Sequence, residues 1–387
     1  MKTLWITGNY YPQIGGLQVY IDRIVNSLAE YAEVALLTES TQQAPANQHI
    51  CHFTVHKLTR PTTVDEWQDA ADSVAEAISI FEPDIVHFSN ANVAVYRPIV
   101  PEGIRTVATI HGNDLTAPWQ WTPENDVTTR IVHGLNACDR VFAVSNHSAE
   151  LAARWGVRSP CTVITSGCDI EFFRPLRGGA AAIRRKYGVA KDMPLALTVA
   201  RLVPRKGHPN VLEALHRVSF PIHWLVVGDG PMREAMINAV EESGIQDRVT
   251  LAGEVSNEEL LRIYNACDVF VLTPEEREYH GRVDSEGFGL TFHEASACRK
   301  PVIGSEVSGC QEAVIHGITG LLVPPEDPSA LAAALERIFT EPGLGQMLGR
   351  GGMALVRMLG GWSRVAQQTC EVYEQVLSGA AGNLLPR

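Results

Sequence analysis

The chain has no Cys-x-x-Cys pair, no Gly-x-Gly-x-x-Gly turn, no basic excess and no uncharged apolar run of the ~18 residues that a membrane span needs. Each absence removes a class of function. Eight cysteines, at 51, 138, 161, 168, 267, 298, 310 and 370, show no framework spacing. They read as reduced, mostly buried thiols of a cytosol-like compartment. Lys and Arg number 32 against 44 Asp and Glu, a net charge of −12, which argues against non-specific nucleic-acid binding. Residues 1–173 carry 10 cations against 19 acids. An anionic lipid surface would be met only by a local patch, a weak peripheral contact at the inner face of a membrane. The apolar run in M-K-T-L-W-I-T-G-N is too short for a signal peptide, so the expected location is cytoplasmic. Neither glycine turn fits the nicotinamide-dehydrogenase fingerprint.

What is present is enough for two domains. With 387 residues, 45% hydrophobic and 20% charged, the chain is long for one core. Its first half alternates strand and helix. Leu4–Thr7 runs into a turn holding Gly15 and Gly16, and an apolar-faced helix follows. That arrangement presents backbone amides to a phosphate. Strands are expected at 34–38, 51–58, 83–88, 106–110 and 139–145, and helices over 64–81 and 146–155. Alternation of this kind implies a parallel sheet covered on both faces, with the site at its strand ends. One strand ends in His111-Gly112-Asn113-Asp114, where a polar ligand contact or a merely local hydrogen bond would sit. Trp119 and Trp121 follow, either platforms for a sugar ring or plugs under a loop. Arg177-Gly178-Gly179-Ala180 reads as a linker.

The second half repeats the alternation without a sequence repeat. A strand over 195–199 leads into A-R-L-V-P-R-K-G, placing Arg201 and Lys206 five residues apart across a proline-containing turn. Two cations at a strand-to-helix turn suit a diphosphate leaving group, with Arg gripping bidentately and Lys acting as a point charge. Two solvated surface cations would look the same. Further strands are expected at 223–227 before Gly228-Asp229-Gly230-Pro231, at 249–252, 268–272 and 301–304. Terminal helices are expected over 328–339 and 363–377. The stretch D-S-E-G-F-G-L-T-F-H-E-A-S-A, 284–297, sets Glu286 in a glycine turn and Glu294 inside a following helix. Fully helical spacing would separate the carboxylates by about 12 Å, too far to share a proton or a metal. It suits gripping two ends of an extended anionic ligand. Two domains of this kind imply a cleft, the usual place for a small-molecule site.

Taken in order, these segments resemble the retaining family-four glycosyltransferases with the GT-B fold. The match runs through Gly15-Gly16, the His111 strand end, V-A-R-L-V-P-R-K-G at 199–207, V-V-G-D-G-P at 226–231, Glu286 and Glu294, P-V-I-G at 301–304 and T-G-L-L-V-P-P-E-D-P at 319–328. I-G-G-L-Q and R-L-V-P-R-K-G look like the mannosyltransferases acting on phosphatidylinositol mannosides. The resemblance implies an α/β protein of two Rossmann-like doubly wound domains, 1–173 and 174–362, with a final helix over 363–387 packing back on the first. It implies a donor nucleoside-diphosphate sugar, GDP-mannose or a UDP-hexose, and a saccharide, lipid-linked or small-molecule acceptor.

By position, Gly15 and Gly16 with Arg201 and Lys206 would hold the diphosphate, and Glu294 the ribose. Glu286, with the amides near Phe288, Gly289 and Leu290, would hold the hexose, and His111 would contact the sugar. Gly228, Glu254 and Val255 would border the base, with Asp114, Trp119 and Trp121 on the acceptor side. His111, Arg201, Lys206 and Glu286 are the expected catalytic set. Front-face displacement is implied, without cofactor or dedicated metal site, since the cations supply the charge and no Asp-x-Asp occurs. His293 and Arg299-Lys300 depart from the family pattern, at positions expected to affect the nucleotide pocket. Competing readings are a sugar-nucleotide 2-epimerase, a phosphorylase, which would want a longer chain, and a non-catalytic sugar-nucleotide-binding protein.

Overall fold

The computed structural model describes residues 1–8, 10, 15–39, 47, 49–58, 64–116, 127–279 and 282–379. The chain divides into two compact units: Met1–Gly167 with Tyr279–Gly287 and Trp362–Arg387, and Cys168–Glu278 with Phe288–Gly361. The first crossing follows from core membership, because Cys168 and Phe173 are buried in the second core.

Among the described residues, seven strands form the first unit's sheet: β1 (Lys2–Ile6), β2 (Glu33–Glu39), β3 (Ile50–Val55), β4 (Ile85–Phe88), β5 (Arg105–Ile110), β6 (Arg140–Ala143) and β7 (Cys161–Val163). All pairings are parallel, in the order β3-β2-β1-β4-β5-β6-β7. Leu4 opposes Val86 and Ile6 opposes Phe88. Runs buried on both faces, such as Ile85–Phe88, are what a covered parallel sheet requires. The chain winds outward from β1 to β3 and then returns to β4, so the switch point lies between β1 and β4. Ligands of such sheets bind at the strand carboxyl ends there. The helix Trp362–Ser378 belongs to this unit and packs on Gly16–Leu28.

The second unit repeats the winding with β8 (Leu195–Val199), β9 (His223–Val227), β10 (Val249–Gly253), β11 (Val269–Val271), β12 (Val302–Ser305) and β13 (Gly320–Val323). Their order is β10-β9-β8-β11-β12-β13, all parallel among the described residues. The switch point falls between β8 and β11.

The expected elements largely match, but the helices Ala91–Ile99, Val127–Asn136 and Leu344–Leu359 are not among them. The last of these is 16 residues long. Its glycines depress helix propensity, yet packing demands them. A Cβ on Gly349 would lie 2.4 Å from the Arg299 carbonyl oxygen, and one on Gly351 2.1 Å from that of Ile318. The helix is bare so that it can touch backbone.

Two of the buried histidines, His87 and His208, are held neutral most strongly. His87, on β4, stacks on Trp5 at 3.7 Å and bonds through Nε2 to the Thr109 hydroxyl at 2.7 Å. Burial holds it well below the ordinary imidazole value, and the neighbouring His111 adds to this. His208 begins the helix His208–Arg217, and neither of its ring nitrogens has a hydrogen-bond partner among the described residues. Burial, then Lys206, push it down to about 4. Such a group is neutral when folded but titrates near ~6.5 when unfolded, so the unfolded chain binds more protons below that pH. Stability is complete above it and falls with acidification until the folded value is passed. For His208 alone the loss is about 3 kcal/mol. The melting temperature should therefore be flat above about pH 7 and fall steeply toward about pH 4. In His208→Leu, thermal melts across the same range should show a shallower fall.

Candidate active site

In the second unit the site begins where β8 ends. Ala200 donates its amide to the Val227 carbonyl at 3.0 Å, and Leu202 to that of Asp229 at 2.9 Å. These bonds zip the 200–202 turn to the loop after β9. Gly228 has φ +124°, and its Cβ would lie 2.1 Å from the Ala200 carbonyl oxygen; that of Gly230 would lie 2.5 Å from the Leu202 oxygen. The Gly228 amide is already given to the Gly253 carbonyl at 2.8 Å. Both glycines are therefore needed by the neighbouring turn, and Gly228 has no amide left for a ligand. Its link to Gly253 puts Gly228 beside the exposed Glu254 and half-buried Val255.

Lys206 closes the short turn Pro204–Lys206. Gly207 follows at φ +67°, with its Cβ position 1.9 Å from the Thr273 carbonyl oxygen just past β11. The lysine is half-buried, and its backbone cannot drift. Arg201 is exposed and makes no ion pair among the described residues. Arg201, Arg205 and Lys206 thus stand on the loop leaving the switch-point strand, Arg201 the exposed one.

The helix Leu290–Ala297 starts at Gly289, φ +87°, with no side-chain cap. Its first-turn amides keep the partial positive charge of a helix start. Glu294 accepts a hydrogen bond from the Tyr264 hydroxyl at 2.8 Å. Burial, then the Glu294 charge, hold the Tyr264 phenol well above its usual range, so it stays a donor. Phe288 is buried and meets His293 edge to face at 4.8 Å, so His293 is packed interior. Lys300 donates to the carbonyls of Asn265 and Cys267, both at 2.8 Å, capping the helix Asn257–Ala266. It sits just before β12, at the amino edge of the sheet, whereas the loops above leave its carboxyl edge. Arg299-Lys300 is a structural departure, contrary to the expectation that it affects the nucleotide pocket.

In the first unit, His111 follows β5. Its Nε2 lies 3.0 Å from the Ser89 carbonyl oxygen. Its amide donates to one Asp114 oxygen at 2.9 Å, while Ala91 donates to the other at 2.8 Å. Asp114 thus fixes the strand end from two backbone amides. Burial lowers the affinity of His111 for a proton, opposed by the Asp114 carboxylate and the Ser89 carbonyl. The helix Gly16–Leu28 opens at Gly15, and a Cβ on Gly16 would meet nothing within 4 Å. Trp119 and Trp121 lie outside the described residues.

Glu286 belongs here too. Tyr279–Gly287 packs with the first unit, although the sequence reading left it with the second domain. Ser145 donates its hydroxyl to the Gly287 carbonyl at 2.6 Å, and His147 Nε2 lies 2.9 Å from the Ser285 hydroxyl. The buried Glu286 therefore shares a unit with His111, while Glu294 stays in the other. Ser145, Ser89 and Tyr264 carry no motif by which the sequence could have marked them.

Comparisons with known proteins give the family and the fold. Residues 14–172 match the family model described as Glycosyltransferase Family 4, and residues 180–353 that described as Glycosyl transferases group 1. The chain is 26% identical to the GDP-mannose-dependent alpha-(1-6)-phosphatidylinositol monomannoside mannosyltransferase of Mycolicibacterium smegmatis, covering 88% of this chain and 89% of that one. It is 34% identical to a D-inositol 3-phosphate glycosyltransferase of Thermomonospora curvata, over 58% of this chain and 54% of that one. Among solved structures, sucrose-phosphate synthase from Thermosynechococcus elongatus superposes with TM-score 0.81 at 23% identity, covering 98% of this chain and all of that one. Anabaena HepE in complex with UDP and glucose gives 0.81 at 20%, covering 97% and 100%.

A Gly287→Ala variant would set a methyl 2.0 Å from the His111 carbonyl oxygen, backbone against backbone. It should lower the melting temperature sharply, because overpacking of this kind costs about 1–3 kcal/mol or more. Gly16→Ala, whose methyl faces open space, should melt like the native chain. Equal melting temperatures for the two would contradict the packing.

Proposed function

The chain belongs to the glycosyltransferases whose halves match the family-four and group 1 models, with the GT-B fold and a nucleotide-sugar donor, and we propose that it is a retaining mannosyltransferase using GDP-mannose. Its acceptor, on this reading, is a hydroxyl of a lipid-linked saccharide. The donor and acceptor class are supported by relatives named as GDP-mannose-dependent phosphatidylinositol monomannoside mannosyltransferases. The observation that carries the chemistry is the turn 201–207: an exposed guanidinium with no ion pair among the described residues and an ammonium, on backbone that cannot yield.

The bond from the sugar C1 to the diphosphate oxygen breaks, and a new bond forms from C1 to the acceptor oxygen on the same face. The acceptor's proton passes to the departing phosphate oxygen. Negative charge grows on the diphosphate as the bond breaks, so Arg201 and Lys206 stabilise the transition state more than the ground state. No metal ion is needed for that neutralisation. Glu294, oriented by Tyr264, accepts the ribose hydroxyls; the first unit supplies Glu286 and His111 for the hexose, and Gly16 leaves room for a phosphate oxygen at a helix start. Among the described residues, no helix is long and apolar enough to cross a membrane. A lipid-linked acceptor would be reached by weak peripheral contact.

In a thermal-shift series GDP and GDP-mannose should raise the melting temperature more than UDP, ADP or dTDP, since binding stabilises the native state by mass action. Lys206→Ala should lower kcat by about 10²–10³-fold, the range for removing one charge-stabilising donor. EDTA should leave turnover unchanged. GDP release that does not depend on acceptor, or full activity in Glu286→Ala, would favour an epimerase or a binding protein instead.

A further inference from the structure

Asp114 fixes the backbone of His111 but leaves the rotation of its imidazole open. Two contacts settle that rotation. The Ser89 oxygen is a carbonyl and can only accept, so the facing Nε2 carries a proton. Since burial favours the neutral ring, Nδ1 is then an unprotonated acceptor. The second contact is Tyr20. It lies on the helix that Gly16 begins and is 3% exposed. Its ring stands edge-on to the His111 imidazole, with centroids 4.7 Å apart at 83°, and edge-on to Trp362 at 5.4 Å and 78°.

Tyr20 is itself held. It is buried, which keeps its phenol protonated, and two residues before His111 the Thr109 hydroxyl meets His87 Nε2 at 2.7 Å. The other His87 nitrogen bonds to the Tyr373 hydroxyl on the terminal helix. The ring that abuts His111 is thus backed by Trp362, and the strand that ends at His111 is tied through Thr109 and His87 to Tyr373. Without a rigid edge beside it, the imidazole could turn over and bring a carbon to the Ser89 oxygen. The face offered to a hydroxyl would then carry the Cδ2–H carbon, and the acceptor there would be lost.

We propose that Tyr20 is a positioning residue, whose ring, braced by Trp362, locks His111 as the Nε2–H tautomer so that Nδ1 accepts from a hydroxyl of the transferred sugar. The last clause rests on the reading of His111 as a sugar contact; the tautomer lock does not. A ring that only filled the core would stabilise the fold without governing His111.

The test uses the full chain labelled with ¹⁵N-histidine, its His111 resonance assigned by loss in His111→Gln, and followed from about pH 5 to 8 by long-range proton–nitrogen correlation. The native chain should show the Nε2–H pattern and a midpoint below that of free imidazole. Tyr20→Leu should give mixed tautomers and a higher midpoint, with kcat lower by about ten-fold and the donor KM within about two-fold. Tyr20→Phe, which keeps the ring, should restore the native His111 signal and most of the turnover. If the leucine variant does not fold, Tyr20→Met refills the volume without a rigid edge and carries the same expectation. An unchanged Nε2–H signal in the folded leucine or methionine variant overturns the proposal. A scrambled His111 with native turnover would uphold the lock but remove His111 from the sugar site.

Discussion

A cation stabilises a leaving group only if it is already in place when charge appears; otherwise its own reorganisation cancels the gain. In this chain that requirement is met by backbone touching backbone. Gly207 lies so close to Thr273, and Gly228 to Ala200, that no side-chain carbon would fit between them. Amide bonds from Ala200 and Leu202 to the loop after β9 close the same region. The turn bearing Arg201 and Lys206 is therefore welded to the ends of β9 and β11, and both charges sit on a frame set by the sheet. Such loops are usually the mobile parts of a fold; here the glycines remove that freedom.

The first unit answers a different demand. An imidazole at a strand end is useful only in a defined tautomer, and burial alone sets its charge, not its orientation. Asp114 spends both oxygens on backbone amides, Ser89 provides an acceptor, and Tyr20 an edge. Beneath them His87 is kept neutral by burial and held by hydroxyls. A fully satisfied polar layer of this kind rigidifies what stands on it. It also brings the last helix into the unit, through Tyr373 and Trp362, although the two lie more than 200 residues from His111 in the chain.

Periodicity and turn chemistry made much of the fold legible. Strands such as Ile85–Phe88 and His223–Val227 are short, apolar and bounded by turn residues, and the helix Val64–Phe81 appears as its spacing predicts. The helix Leu344–Leu359 was not legible because its glycines serve neighbours that only the fold supplies, the carbonyls of Arg299 and Ile318. The same blindness applies at the site. Gly228 in the G-D-G-P turn reads as a ligand-facing glycine, yet its amide is bound to Gly253. Lys300, read as a change beside the nucleotide, caps a helix at the far edge of its sheet.

The paired glutamates show why spacing alone misleads. Eight residues apart, they read as one grip on one ligand. The chain changes units between Gly287 and Phe288, so the carboxylates answer to different cores. Glu286 is fixed with the segment that Ser145 and His147 hold, and Glu294 is oriented by the buried Tyr264. Gly287 can cross at that point because its Cα side meets the His111 carbonyl with no room for a methyl, and Gly289 because it adopts a left-handed turn before the helix. The glycines of E-G-F-G therefore do more than admit a ligand. They let one short motif place one carboxylate in the unit that holds the histidine and another in the unit that holds the cations.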